Sequence, residues 1–367
     1  MASNPTIIVF GAYGHTGRFV VSELRRRGLI PILSGRDSDK LHTLAAAHPE
    51  LEIRVASLDN PALLDEAISG AAAIINCAGP FVDTAPLIIE AAIRTRIHYL
   101  DLTAEQSAVR VAFERFADSA KDAGIVIAPA VAFYGGLADL LATAAMSDWA
   151  VADEIRIGIA LDSWQPTLGT RLTGKRNTDR RFVFSNNKLE FLADPPPIAA
   201  WGFPPPFGTQ KVVGLPLSEI ITISSHLDVA EIHSYMNLEP LKDIRNPDTP
   251  TPVAVDDSGR SAQIFMVDVI VSKGSEKRRA TASGRDIYAV TAPIVAEAVE
   301  RILDGRFKET GVAAAGKLFD ARNFLESLSP KHLSLRVQFD MNSMPFNRVY
   351  LDLSHNFPGS DTNTKVV

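Results

Sequence analysis

The sequence predicts an α/β protein with a Rossmann-type, doubly wound parallel sheet and an inserted α+β mixed-sheet domain. Three observations predict this class. Short apolar stretches alternate with amphipathic stretches up to about residue 127, which is typical of parallel strands joined by helices. The first apolar stretch runs directly into glycines at 11, 14 and 17. After residue 136, longer strand-like stretches replace the alternation.

The first part of the chain is expected to hold six strands, at residues 7–10, 30–34, 52–55, 73–76, 98–101 and 125–128. Helical stretches, such as residues 19–27 and 108–123, separate them. Because ligands bind beyond the carboxyl ends of such strands, the segments that follow the strands are the candidate binding segments.

The second part of the chain begins with a helical stretch at residues 137–148. Strands are then expected at residues 154–161, 181–184, 219–224, 231–236 and 262–272, with the last two pairing with residues 278–283. A proline-rich stretch, residues 194–207, is expected to be an irregular connection. A strong helical pattern returns at residues 290–303.

These patterns divide the chain into four segments. Residues 1–135 are expected to form the nucleotide-binding domain, and residues 136–289 the mixed-sheet domain. Residues 290–335 are expected to be helices that return to the first domain, and residues 336–367 a loosely ordered tail.

Composition excludes several classes of protein. The chain has 367 residues, 46% of them apolar, and a net charge of −6, so it suits two globular domains and no nucleic-acid partner. Its one cysteine, Cys77, excludes an internal disulfide and a cysteine zinc site and fits the reducing cytoplasm. We expect no signal peptide, because the first residues, MASNPTII, have no basic segment followed by an apolar one. We expect no membrane span, because the longest uncharged stretch contains Pro129, Gly135 and Gly136. A homodimer through the second-domain sheet stays open.

The glycine stretch predicts a site for a pyrophosphate. A strand that ends in a tight turn leaves the first amides of the next helix unpaired, and the helix dipole adds positive charge there. The spacing is G-x-x-G-x-x-G, and a plain glycine-rich turn is the alternative. The loop residues assigned to the cofactor are Gly11, Tyr13, Gly14, His15, Thr16 and Gly17.

The end of the second strand favours NADP over NAD. Arg36 stands where a guanidinium would hold the 2′-phosphate, and Lys40 follows one helical turn later. Asp37 leaves an alternative, because it either reaches a ribose or caps the next helix. The other residues assigned to the cofactor lie at strand ends: Ser34, Asp59, Asn76, Cys77, Ala78 and Gly79.

Hydride transfer to a substrate needs a proton donor, and Tyr134 in the AFYGG stretch is the first candidate. Its alternative is an aromatic side chain that packs over the cofactor. Tyr99 is the second candidate, while Thr103 and Glu105 fit either a substrate role or a helix cap. Weaker candidates are Tyr288, His226 and His233. No metal site is expected, because the chain has no H-E-x-x-H pattern and no cysteine cluster.

Six stretches together resemble the saccharopine dehydrogenase-like oxidoreductases, particularly the branch of trans-acting enoyl reductases. They are GAYGHTGR at 11–18, LSGRDSDKL at 33–41, NCAGPF at 76–81, HYLDLTAE at 98–105, GT at 169–170 and ASGRDIYAVTA at 282–292. The resemblance implies a nucleotide domain, an inserted mixed sheet for the substrate, and a C-terminal helix that packs on the nucleotide domain.

The function expected first is NADPH-dependent reduction of a conjugated C=C or C=N bond in a small, fairly apolar metabolite. A saccharopine-type amino-acid dehydrogenase is the second hypothesis, because basic residues that suit carboxylates cluster at Arg171, Lys175, Arg176, Arg180 and Arg181. The third is an NADP-sensing regulator without turnover.

Overall fold

The computed structural model describes residues 5–339 of the chain. The strands are β1 (Thr6–Phe10), β2 (Ile30–Gly35), β3 (Ile53–Val55), β4 (Ala73–Asn76), β5 (His98–Asp101), β6 (Val126–Ala128), β7 (Val151–Leu161), β8 (Phe182–Ser185), β9 (Lys188–Phe191), β10 (Ile198–Gly202), β11 (Thr209–Gly214), β12 (Asp228–Asn237), β13 (Ile264–Lys273), β14 (Glu276–Arg285), β15 (Gly311–Val312) and β16 (Leu333–Gln338). The helices are α1 (His15–Arg26), α2 (Ser38–Ala45), α3 (Pro61–Ile68), α4 (Phe81–Thr95), α5 (Gln106–Ala123), α6 (Gly136–Met146), α7 (Leu168–Arg176), α8 (Glu219–Ser224), α9 (Glu239–Arg245), α10 (Ile287–Leu303), α11 (Ala315–Leu318) and α12 (Ala321–Leu328).

The first sheet is parallel throughout and has the order β15-β6-β5-β4-β1-β2-β3. Its strands are buried on both faces. Ile7 and Val9 of β1 pack with α1 in one apolar cluster, while Ile8 and Phe10 pack in another cluster with residues of α4. The predicted doubly wound sheet is therefore confirmed, and it brings the ends of β1, β2, β4 and β5 to one edge.

The second sheet is mixed and has the order β10-β11-β12-β7-β13-β14-β16, with β8 and β9 attached beside β12. β7 pairs in parallel with β12 and antiparallel with β13. One face joins the apolar cluster that includes α6 and α10. Of the two predicted pairings with residues 278–283, that of β13 is correct, whereas β12 pairs with β7, β11 and β8 instead.

Two further predictions for the second domain were wrong. Residues 219–224, predicted as a strand, form helix α8, whose residues from Glu219 to Ile223 are all buried. The proline-rich stretch contains strand β10, which pairs with β11 and carries the buried Trp201. The Trp201 indole donates to Asp268 Oδ2 at 2.8 Å, so this stretch is held by a specific contact.

The C-terminal segment reaches both sheets. Helix α10 packs on α1, where Arg27 contacts Glu297 and Glu300 at 2.6 Å each, and β15 extends the first sheet. Helix α12 instead packs on α6, and β16 pairs with β14. Residues 336–338, expected to be loosely ordered, therefore belong to the second sheet, and the rest of that predicted tail from residue 340 lies outside the described residues.

Candidate cofactor and substrate site

The glycine loop leaves the amino end of α1 open. Gly11 has φ +84°, and its N–H donates to Ser34 O at 2.8 Å, which makes the tight turn. Gly14 is the N-cap of α1 and supplies no side chain to the first amides. A Cβ on Gly17 would lie 2.3 Å from Gly11 O, so only glycine lets α1 lie this close to the loop. An open helix terminus with no side chain over it suits a pyrophosphate.

Beyond β2 the predicted phosphate partners are exposed. Arg36 directly follows the strand and is exposed. Lys40 forms an ion pair with Asp37 at 2.8 Å, and the Asp37 carboxylate accepts the Lys40 N–H at 3.1 Å. Asp37 therefore caps α2, which was one of the two alternatives. Lys40 also lies 5.7 Å from the centre of the Tyr13 ring.

Two other residues assigned to the cofactor make contacts within the protein. The Ser34 hydroxyl donates to Arg54 O at 2.8 Å and is buried, so it links β2 to β3. The exposed Asp59 accepts a hydrogen bond from Ser57 at 3.0 Å. The Ser34 side chain is thus turned away from the expected cofactor position, which corrects that assignment.

The end of β4 lies against the glycine loop. A Cβ on Gly11 would lie 3.1 Å from Ala78 Cβ, and one on Gly79 would lie 2.9 Å from Thr173 Oγ1 of α7. Cys77 is unpaired, and burial raises the pKa of its thiol, so it is no nucleophile at neutral pH. This segment therefore lies between the glycine loop and α7.

Tyr99 lies in a buried hydrogen-bond network within the first domain. Its hydroxyl donates to Asp101 Oδ2 at 2.9 Å and accepts from Asn76 Nδ2 at 3.3 Å, and the side chain is fully buried. The Asp101 carboxylate also accepts the Ala130 N–H at 2.8 Å. This corrects the assignment of Tyr99 as a proton donor, because its proton is already committed to Asp101. The Asn76 side chain is likewise occupied.

Glu105 caps a helix, although not the one expected. Its carboxylate accepts the N–H groups of Phe81 and Val82 at 2.8 and 3.0 Å, at the amino end of α4. It is the N-cap residue of α5 but gives that helix no side-chain hydrogen bond. Thr103 in turn accepts the Glu105 N–H at 3.0 Å.

Tyr134 follows β6 at the boundary between the two domains. Its hydroxyl is buried and has no hydrogen-bond partner among the described residues. Its ring packs 5.7 Å from that of Trp164 and 4.8 Å from that of Phe133. Burial raises the pKa of the phenol, and the charge of Glu219 raises it further. Because buried hydroxyl groups usually have a hydrogen-bond partner, the Tyr134 hydroxyl is suited to bind a ligand.

Glu219 is a second buried group in this region that the sequence analysis did not find. The side chain is fully buried at the start of α8, where Oε1 accepts the Leu217 N–H at 2.9 Å and Oε2 has no partner in the described part of the chain. Burial raises the pKa of Glu219. The neighbouring Ser218 hydroxyl donates to Thr103 O at 3.1 Å, which holds α8 against the end of β5.

Segments of the second domain cover the strand ends. The Tyr288 hydroxyl accepts from Trp164 Nε1 at 3.1 Å and lies 3.0 Å from Thr170 Oγ1, so it holds the segment that enters α7. The His15 ring of the glycine loop packs 5.3 Å from Tyr288, and its Nε2 is buried without a partner within residues 5–339. Burial lowers the pKa of His15, which keeps the imidazole neutral.

Comparison with known proteins identifies the first domain. The family described as the saccharopine dehydrogenase NADP-binding domain matches residues 7–128. Residues 7–128 belong to this family. For this domain, the predicted family and the predicted cofactor, NADP(H), are thereby confirmed.

Curated relatives named saccharopine dehydrogenase-like oxidoreductase also match this chain. Those of Bos taurus and Homo sapiens are 28% and 29% identical over 152 residues, which is 36% of this chain and 35% of each relative. The match thus spans about a third of the length of these relatives. The structure of saccharopine dehydrogenase (L-Glu forming) from Saccharomyces cerevisiae shares the fold, with TM-score 0.66 and 10% identity over 92% of this chain and 100% of that one.

The parallel sheet brings the glycine loop, Arg36 and the end of β4 to one edge, and Tyr134 follows β6 of the same sheet. It does not bring the weaker histidine candidates there. His226 contacts the buried Asp139 at 2.6 Å within the core, and His233 pairs with Glu231 at 3.1 Å. No group of three or more potential metal ligands occurs between residues 5 and 339. In the same described portion, no helix is long and apolar enough to cross a membrane.

Proposed function

We propose that the protein is an NADPH-dependent oxidoreductase that reduces a conjugated C=C or C=N bond of a small, fairly apolar metabolite. One observation carries the proposal: the Tyr134 hydroxyl is buried without a partner among the described residues, and Tyr134 follows β6 of a parallel sheet of the kind that binds dinucleotides at its strand ends. A proton donor that lacks a partner within residues 5–339 suits a substrate that supplies the acceptor.

Several residues are suited to hold the cofactor. The open amino end of α1 takes the pyrophosphate, and the exposed Arg36 takes the 2′-phosphate. Gly11 and Gly17 let the backbone and α1 approach the cofactor closely. Bound NADPH supplies the hydride for the reduction.

Tyr134 donates the proton that completes the reduction. Its raised pKa keeps the phenol protonated at neutral pH, so the proton is available when negative charge develops on the substrate. The negative charge of the buried Glu219 contributes to the raised pKa of Tyr134 and so helps to keep its proton in place. The ring of Trp164 packs beside the phenol, with the ring centres 5.7 Å apart.

The amino-acid dehydrogenase hypothesis relies on the basic cluster. Some members of this cluster already have partners within the protein. Arg171 donates to the carbonyls of Asn246 and Thr249, at 3.2 and 2.7 Å, and Arg176 pairs with Asp83 at 2.8 Å. Two members are thus engaged with the protein, which favours the apolar substrate over one with several carboxylates.

The direct test is NADPH consumption with a panel of α,β-unsaturated carbonyl compounds and imines, using deuterated NADPH to detect deuterium in the product. Tyr134→Phe should lower turnover by about 10²-fold while NADPH affinity is kept. Tyr235→Phe, on the far face of the second sheet beside Trp201, is the matched control and should keep full turnover.

The outcomes separate the hypotheses. Turnover of unsaturated carbonyls would support the enoyl reductase branch, and turnover of amino-acid-derived imines would support the second hypothesis. Tight NADPH binding with no turnover on any compound would favour the sensor. A fully active Tyr134→Phe enzyme would remove Tyr134 as donor. The cytoplasmic location and the homodimer through the second sheet stay predictions, the latter testable by sedimentation.

A further inference from the structure

Helix α7 buries none of its side chains. It lies in the chain between β7 and β8 of the second sheet. All nine of its residues are at least partly exposed, whereas each of the other helices in the described part of the chain has at least one buried residue. Because α7 buries so little surface, its displacement costs little free energy.

Helix α7 contacts the first domain at the segment that follows β4. A Cβ on Gly79 would lie 2.9 Å from Thr173 Oγ1, so the Thr173 side chain lies directly against the backbone of Gly79. The preceding residue, Ala78, lies against Gly11 of the glycine loop. The strand order of the first sheet reverses between β1 and β4, and dinucleotides bind in the crevice at such a reversal. Helix α7 therefore lies beside the crevice expected to hold NADP(H).

The amino end of α7 is firmly held. Thr167 is the buried N-cap residue, and its hydroxyl accepts the Thr170 N–H at 3.1 Å. The Tyr288 hydroxyl lies 3.0 Å from Thr170 Oγ1 and accepts the Thr167 N–H at 3.4 Å. Arg171 donates to two backbone carbonyls of the segment that follows α9. Together these contacts fix the first turn of the helix.

The carboxyl end of α7 is held to the first domain by an exposed ion pair. Arg176 donates to both carboxylate oxygens of Asp83, in the first turn of α4, at 3.1 and 2.8 Å. The two side chains are 58% and 45% exposed, and exposed pairs of this kind contribute little stability. Beyond the helix, Thr178 and Asp179 are exposed and belong to no helix or strand. Once the ion pair breaks, α7 can therefore turn about its amino end.

We propose that α7 is a lid over the NADP(H) site, with its hinge at Thr167 and Thr170 and the Arg176–Asp83 pair as its latch. Opening of the latch lets the cofactor enter and leave. Closure brings the Thr173 hydroxyl, which can donate and accept hydrogen bonds, to the crevice. Lids of this kind commonly control the release of bound molecules. The inference depends on NADP(H) binding and is independent of the proposed reduction.

The first test is hydrogen exchange of the full chain, measured by mass spectrometry with and without saturating NADP⁺. The amides of residues 171–177 should exchange about fivefold or more slowly with NADP⁺, because a ligand that binds better to the closed form shifts the lid toward that form. Helix α12, which packs on α6, is the control for a general stabilisation and should change less. Equal exchange of α7 with and without NADP⁺ would overturn the proposal.

The second test is the rate of NADPH dissociation, measured by stopped-flow fluorescence. Arg176→Gln and Asp83→Asn should each raise this rate by about two- to fivefold. The double variant should be no faster than either single variant, because both substitutions break the same pair. Arg94→Gln is the matched control: it breaks the exposed pair of Arg94 with Asp65 at the other end of α4 and should leave the rate unchanged.

The outcomes of the second test separate the lid from the other proposals. An unchanged rate in Arg176→Gln, or effects that multiply in the double variant, would overturn the latch. A protein that binds no NADPH would refute the lid together with the cofactor site. A protein that binds NADPH with the expected rates but reduces no substrate would keep the lid and refute only the proposed reduction.

Discussion

Removing the Tyr134 hydroxyl should stabilise the protein. A buried hydroxyl that has lost its water contacts and gained no partner costs about 1–3 kcal/mol, and the Tyr134 hydroxyl is in this state. Tyr134→Phe keeps the ring packed on Phe133 and Trp164 and removes only the oxygen. The entropy of unfolding is about 2.1 cal/mol/K per residue, so over 367 residues the gain corresponds to a Tm rise of roughly 1–4 °C.

The matched control is Tyr288→Phe. The Tyr288 hydroxyl lies within hydrogen-bond distance of Trp164 Nε1, Thr167 N and Thr170 Oγ1, at 3.1, 3.4 and 3.0 Å. Its loss should lower the free energy of unfolding by about 1 kcal/mol or more, because two donors lose their acceptor. Calorimetry of both variants without cofactor or substrate measures the difference. A Tyr134→Phe protein that is less stable than wild type would refute the unpartnered hydroxyl and, with it, the reason for assigning Tyr134 to the substrate.

Three further predictions concern the cofactor and the core. Arg36→Ala should remove most of the preference for NADPH over NADH, a loss of roughly 1.5–3 kcal/mol in binding titrations; equal affinities in the wild type would contradict this. Gly14→Val should weaken NADPH binding by about 100-fold or more while the protein stays folded. The reason is that a Cβ at Gly14 lies 3.1 Å from Gly11 O and over the helix terminus. Gly202→Ala is the control, because Gly202 has open space around it. Burial raises the pKa of Asp101 from 3.8 to about 6, so the folded state binds the proton of Asp101 more tightly than the unfolded state. This contribution to the free energy of unfolding is complete below about pH 4 and is lost as the pH rises to 6. Asp101→Asn cannot ionise, so the free energy of unfolding of wild type should fall by about 3 kcal/mol relative to that of the variant between pH 4 and 7. A difference between the two proteins that is the same at pH 4 and at pH 7 in denaturation experiments would contradict the assignment.

Much of the first domain could be predicted from local patterns. Each of its strands is a short apolar stretch closed by a turn, and the six predicted strands match the observed ones to within a residue or two. Gly11 takes the positive φ of the turn and Gly17 lies against Gly11 within the same short loop, so both predicted roles agree with the observed structure. At the end of β2, Arg36 is exposed directly after the strand, and Asp37 caps α2, which was one of its two predicted roles.

Local patterns misled where packing outweighed propensity. The stretch EIITIS is rich in β-branched residues, which favours a strand, yet it forms α8 because every residue from Glu219 to Ile223 is buried between other elements and has no strand to pair with. Because this stretch was predicted as a strand, Glu219 was not recognised as a buried residue near the candidate site. Tyr99 was similarly misjudged, because alternation along β5 does not reveal which face of the sheet a side chain enters.

The sequence by itself therefore determined the nucleotide fold, its cofactor and the position of the glycine loop between β1 and α1, because each of these is encoded within a few neighbouring residues. Only the tertiary structure decided which groups surround Tyr134. Trp164 and Glu219 belong to other segments, and their positions near Tyr134 depend on how the second domain packs on the first. Burial then sets the state of these groups: it leaves the Tyr134 hydroxyl without a partner among the described residues and raises the pKa of Glu219, and no local pattern of residues specifies burial between two domains.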